Sequence, residues 1–186
     1  IVYLFGGTHS TNLPITAGSY KTTYSGGNAD GFIAKLDATF SNLLASTYLG
    51  TSGYDQSFFL DMDEDNQILT VGQTDGNYPV SAGVYNNANS GIYIQKFDNS
   101  LNSSIWSTRI GNGNGKPNIS PTAFLVDRCN RIYISGWGGQ NVNTSVPGST
   151  TAGLPVTPDA FQGSTDANDY QFVPRPLAAM SKSFED

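Results

Sequence analysis

The chain has 186 residues, of which nine are basic and fifteen acidic, for a net charge of −6; 38% are hydrophobic and 12% aromatic. Phosphate neutralisation needs clustered Lys and Arg, and none cluster here, which argues against nucleic acid and against an anionic bilayer surface as partners. One cysteine, Cys129, allows neither an intrachain disulfide nor a Cys-cluster zinc site, and no apolar run reaches the ~18 residues of a bilayer span.

Read in chain order, short β-branched and aromatic runs alternate with polar turns. The opening VYLFGGTHSTNLPITAGSY, from Val2, leads into strand-like runs at 31–36 (GFIAKL), 43–49 (LLASTYL), 57–62 (SFFLDM) and 68–71 (ILTV). The order then repeats at 92–97 (IYIQKF), 105–111 (IWSTRIG), 123–127 (AFLVD) and 132–135 (IYIS). The opening returns as ILTVGQTDGNYPVSAGVY from Ile68, and again as IYISGWGG from Ile132 with LPVTPDAF from Leu154. Gly6, Gly72 and Gly136 anchor the copies, so the period is about 65 residues, the mark of stacked supersecondary units.

Four short strands per period, glycines throughout and no helical periodicity predict an all-β fold built of four-stranded antiparallel β-propeller blades. A sandwich or a β-solenoid is the alternative. The division expected is blade material over 1–72, a second repeat over 73–136 and a partial third over 137–186. About two and three-quarter units fall short of the 4–8 blades of a closed propeller, so closure is expected from further blades of the same polypeptide or from other copies. No signal peptide opens the chain, which starts in mid-strand, and its true beginning is expected elsewhere.

Long loops at 8–30, 74–90 and 140–170 each carry a proline and then an aromatic: Pro14 with Tyr20, Pro79 with Tyr85, Pro155 with Phe161. Proline cannot donate to a ladder, so these loops should cross a sheet edge, with the aromatic packing them down.

The pattern YL-G-T-S-LP-T-GSY, D-FIAKLD, LLASTYLG and IL-VG-T resembles the bacterial SBBP repeat, a β-propeller repeat. PTAFLVDRCNRIYISGWGG from Pro121, with GLPVTPDAFQGSTDANDY from Gly153, is similar to repeats of large surface proteins of gliding bacteria that use type IX secretion. The resemblance implies a non-catalytic, extracellular or cell-surface module. Its partners would be a protein or glycan at the cell surface, the secretion machinery and the remaining blades. The likeness weakens at 173–181, where two prolines interrupt the expected strand.

Several residues are candidates for chemistry. Asp61, Asp63 and Asp65 have the alternate spacing that opens an EF-hand loop, but Asn66 stands where its glycine belongs and Gly72 where its last acid belongs. Calcium is the one cofactor they would suggest; Asp63 capping a solvated turn is the simpler reading. Trp137, between glycines, offers a face for a sugar ring, and Tyr24, Tyr54, Tyr78 and Tyr170 would extend that platform; packing between blades is the structural alternative for the indole. His9 lacks a G-x-S-x-G partner, and Cys129, flanked by Arg128 and Arg131, sits at a turn. The Asn-X-Ser triplets at Asn102, Asn118 and Asn143 are expected by chance in so Asn- and Ser-rich a chain. The rival function is a carbohydrate-active enzyme, a polysaccharide lyase or hydrolase, whose axial site needs blades not in this chain.

Overall fold

The computed structural model describes residues 1–138 and 150–165. Nine strands form within them: β1 (Val2–Thr8), β2 (Asp30–Leu36), β3 (Leu43–Leu49), β4 (Asp55–Met62), β5 (Ile68–Thr74), β6 (Ile92–Phe97), β7 (Ser104–Ile110), β8 (Ile119–Val126) and β9 (Ile132–Gly138). No helix occurs among the described residues. The strands form three antiparallel sheets, ordered β1-β2-β3, β4-β5-β6-β7 and β8-β9.

Every strand run expected within the described residues is present, but the sheets are cut at a different place. The four runs of one period, β2 to β5, divide between two sheets, because β3 and β4 are not hydrogen-bonded neighbours. The chain leaves one sheet at the loop after Leu49 and opens the next with β4, which packs against β1 and β2 on one side and β8 on the other. β8 also begins earlier than its apolar run. Pro121 is accommodated at a bulge between Pro121 and Ala123, matching the bulge between Ser57 and Phe59 in β4.

The middle sheet is covered on both faces. Ile68 and Phe97 join Ile33, Ala45, Leu49 and Leu101 in one cluster, while Leu69, Val71, Ile92 and Ile94 join Val126 and Ile132 in another. Burial on both sides explains why ILTV and IYI read as unbroken apolar runs rather than alternating ones. All seven residues of β5 are buried.

The long loops lie along the outer strands instead of joining them. Thr16 N–H donates to Ser46 Oγ at 3.1 Å, and Ser46 N–H returns a bond to Thr16 Oγ1 at 3.0 Å. The next copy repeats this lock: Ser107 N–H donates to Ser81 Oγ at 3.0 Å and Ser107 Oγ donates to the Pro79 carbonyl at 2.8 Å. These bonds satisfy an edge that would otherwise template aggregation. Tyr20 anchors its loop edge-on to Phe97, with ring centroids 5.2 Å apart. Phe161 departs from the expectation. It is 96% exposed, and the outer strand it would pack on, expected over 173–181, lies outside the described residues.

All the short turns gather at the opposite end, each organised by one aspartate. Asp37, Asp63, Asp98 and Asp127 each accept amide protons from residues two and four further on. The third residue after each takes positive φ: Phe40, Asn66, Leu101 and Asn130, at 57–59°. Asn tolerates that conformation, whereas a larger residue is strained by roughly 1–2 kcal/mol. Leu101 offsets the strain by full burial, but Phe40 is 61% exposed. Phe40→Asn is therefore expected to raise stability by about 1 kcal/mol in urea denaturation; a loss would mean that Phe40 makes a contact worth more than its strain.

Candidate functional site

Antiparallel pairing places the loops 9–29, 50–54, 75–91 and 111–118 at one end of the sheets, and with them Tyr24, Tyr54 and Tyr78 of the sequence-predicted site residues. Tyr24 is half-buried; its hydroxyl donates to the Gly27 carbonyl at 2.9 Å and its ring stands edge-on to Tyr48 at 6.2 Å. Tyr54 sits nearby, bridged to Ala29, with its N–H on Asp75 Oδ1 at 2.5 Å and its hydroxyl on the Gln56 side chain. Trp137, in β9 opposite Ser120, is 53% exposed. Tyr78 does not belong to this surface. It is buried, stacked on Tyr93 at 3.9 Å, and its hydroxyl donates to Gln95 Oε1 at 2.5 Å, so no ligand can reach its ring. Tyr170 lies outside the described residues.

Two of the three acids, Asp61 and Asp63, are spent on the protein itself. Asp63 Oδ1 accepts the Asp65 and Gln67 amides, and Oδ2 pairs with Lys96 Nζ at 2.7 Å in a nearly closed environment. Asp61 Oδ2 accepts the Val126 N–H at 2.8 Å, tying β4 to β8. No group of three His, Cys, Asp or Glu side chains is arranged to hold a metal among the described residues. Asp63→Ala is expected to cost about 1–3 kcal/mol, because it leaves the Lys96 ammonium and two amides without their acceptor. Asp65→Ala is expected to stay within about 0.5 kcal/mol. Both results should be the same with calcium or a chelator in a thermal melt; a calcium-dependent shift lost in Asp65→Ala would restore the metal reading.

His9 and Cys129 are both exposed, Cys129 in the turn capped by Asp127. Asn118 is wholly buried, and its side chain donates to the Thr150 carbonyl at 2.5 Å, so its glycosylation triplet is inaccessible.

Two acids stand out in the structure that the sequence presents only as turn residues. Asp30 opens β2 and Asp55 opens β4, and both are wholly buried. They bracket Gly50, whose φ is 148°: a methyl group there would lie 3.1 Å from Asp30 Oδ1 and 3.1 Å from Asp55 Cβ. Asp30 Oδ2 accepts the Ser25 N–H at 2.6 Å, and Asp55 Oδ2 accepts the Thr51 N–H at 2.6 Å and its hydroxyl at 2.8 Å. Neither Oδ1 has a hydrogen-bond partner of good geometry, although the Thr74 hydroxyl lies near enough to Asp55 to ease its ionisation. Lys21 Nζ donates to the Gly50 carbonyl at 2.6 Å, and Arg109 Nε to the Ser90 carbonyl at 2.7 Å.

Burial pushes both carboxyls above the ordinary aspartate value, and the charge of Asp30 adds to the rise at Asp55. Three of the turn aspartates, Asp37, Asp98 and Asp127, move the other way. The Asn42 side chain, with neighbouring amides, brings Asp37 down to about 2, and Asp127 is lowered by the Arg131 amide first. A raised acid contributes stability below its unfolded value and loses it as pH rises through its folded one; a lowered acid does the reverse. Stability should therefore climb from pH ~2 to ~4 as Asp37, Asp98 and Asp127 ionise, then fall as Asp30 and Asp55 do. Asp55→Asn is expected to remove part of that fall and move the optimum to higher pH. The next repeat offers a precedent, since Asn118 accepts the Asn112 amide at 2.9 Å beside Gly111. An unchanged pH profile in urea denaturation would refute the assignment.

These acids can organise a junction between sheets, but sealed from solvent they cannot meet a substrate. The groove at Lys35, Asn99 and Asn102, about 350 Å³, lies by the short turns instead. No family model matches the chain, and no curated protein matches it.

Proposed function

We propose that the chain is a non-catalytic structural or adhesive module: β-propeller blades of a large secreted or cell-surface bacterial protein, exported by type IX secretion and contacting protein or glycan through its long loops. The observation that carries the reading is the repeated sector. β4 to β7 form one complete four-stranded antiparallel meander, flanked by sheets whose strands occupy the same places in the repeat, with β4 against β8 as adjacent inner strands. The SBBP-like motifs supply the cellular address.

Half-exposed Tyr24 and Tyr54, together on the loop end, are the residues best placed for contact. Trp137 has a second role within this reading. Its counterpart in β5, Gln73, is buried and donates to the Ile119 carbonyl of the next sheet at 2.8 Å. The indole would likewise be covered by the blade that follows.

The test is attachment of the intact surface protein to cells and to glycan arrays. Tyr24→Ala and Tyr54→Ala should weaken attachment while melting temperature holds. Release of sugar ends from a polysaccharide by the intact surface protein would overturn the reading in favour of the enzyme.

A further inference from the structure

The geometry points to the free edge of β1 as an acceptor for one more strand, a bulged antiparallel strand of the β4 and β8 type from a further repeat of the same polypeptide. This rests on the propeller reading and specifies where and how its ring joins.

The observation is a glycine whose reason is missing. In β5, a Cβ on Gly72 would overlap the Gln56 carbonyl oxygen of β4, and in β9 a Cβ on Gly136 would overlap the Ser120 carbonyl of β8. Both carbonyls belong to the residue just before the bulge, where Ser57 faces Gly72 and Pro121 faces Gly136. Glycine is thus required by the close approach of a neighbouring backbone. Gly6 holds the same place in β1, yet a Cβ there would meet only the Phe32 ring, at an ordinary 3.4 Å. The sequence keeps the space for a carbonyl that no described residue supplies.

Exposure agrees. All seven residues of β5 are buried, whereas none of β1 is; Leu4 is 47% exposed, and its counterpart Thr70 is fully buried. Among the described residues β1 pairs only with β2, and no other described strand pairs with its far edge, a row of backbone groups of the kind that strand addition uses. The matching strand carries a small residue opposite Gly6, one bulged residue, then an apolar residue opposite Phe5, as Ser57 and Phe59 do against Gly72 and Val71.

A peptide copying residues 53–63 tests this when added to the 186-residue chain and followed by hydrogen exchange. The β1 amides facing away from β2 should slow by about tenfold or more, while those of β5 stay unchanged. Gly6→Val should abolish the slowing without lowering the melting temperature of the chain alone. The acceptor is overturned if the peptide leaves β1 exchange unchanged, if Gly6→Val binds as well, or if sedimentation shows that two copies pair through β1 instead. Imaging of the intact polypeptide separates the two ideas. A closed ring whose β1 edge still exchanges fast defeats the acceptor alone, and peptide capture in a polypeptide that forms no ring defeats the propeller alone.

Discussion

Phe97→Ala is expected to lower the unfolding free energy by about 3–5 kcal/mol, the range for truncating a buried aromatic in a well-packed core. Phe97 has no exposed surface and lies among Ile33, Leu49, Ile68 and Leu101, where the three-stranded and four-stranded sheets meet. Its ring also receives the edge of Tyr20, so truncation removes the anchor of the 9–29 loop as well as core volume. Lys35 and Asn99 span the same junction, with Lys35 Nζ on the Asn99 carbonyl at 3.0 Å, but such polar links leave the cavity unfilled. The midpoint in urea should fall with the slope unchanged, and Phe97→Leu should cost under about 1.5 kcal/mol. A loss below about 1 kcal/mol for the alanine would mean that the two sheets do not share this core.

Gly72→Ala is expected to destabilise by about 1–3 kcal/mol, towards the upper end because the obstruction is backbone. The added methyl would overlap the Gln56 carbonyl and the Tyr93 ring and hydroxyl. Tyr93 cannot move aside. It is fully buried, stacked on Tyr78 and hydrogen-bonded to Ser57 Oγ at 2.9 Å. Gly6→Ala in the 186-residue chain provides the control, since the equivalent methyl meets only ordinary contact and should change stability by less than about 0.5 kcal/mol. Equal effects at the two positions would dissolve the distinction between an occupied and an open strand edge.

The strands were legible because their boundaries are local chemistry: an Asp-capped turn, a glycine, an apolar run closed by polar residues. Asp63 was legible as a turn former for the same reason, and its three companions repeat the arrangement. The grouping into sheets was not. Whether β3 or β5 neighbours β4 depends on contacts between segments far apart in sequence, and the repeat has the same period however it is cut. Tyr78 reads as a loop residue, yet Tyr93 and Gln95, from a later strand, take it into the core. Asp30 and Asp55 likewise follow glycine-rich turns, where aspartate is ordinarily solvated; only the folded chain brings them together at Gly50.

The most direct measurement of the central claim is electron cryomicroscopy of the intact polypeptide that carries these 186 residues. A closed ring of four-stranded blades is expected, with β4 and β8 at its axis, a strand paired along β1 and Trp137 covered by the following blade. A linear stack of sheets, or a ring with β1 open to solvent on its free edge and Trp137 uncovered, would contradict it.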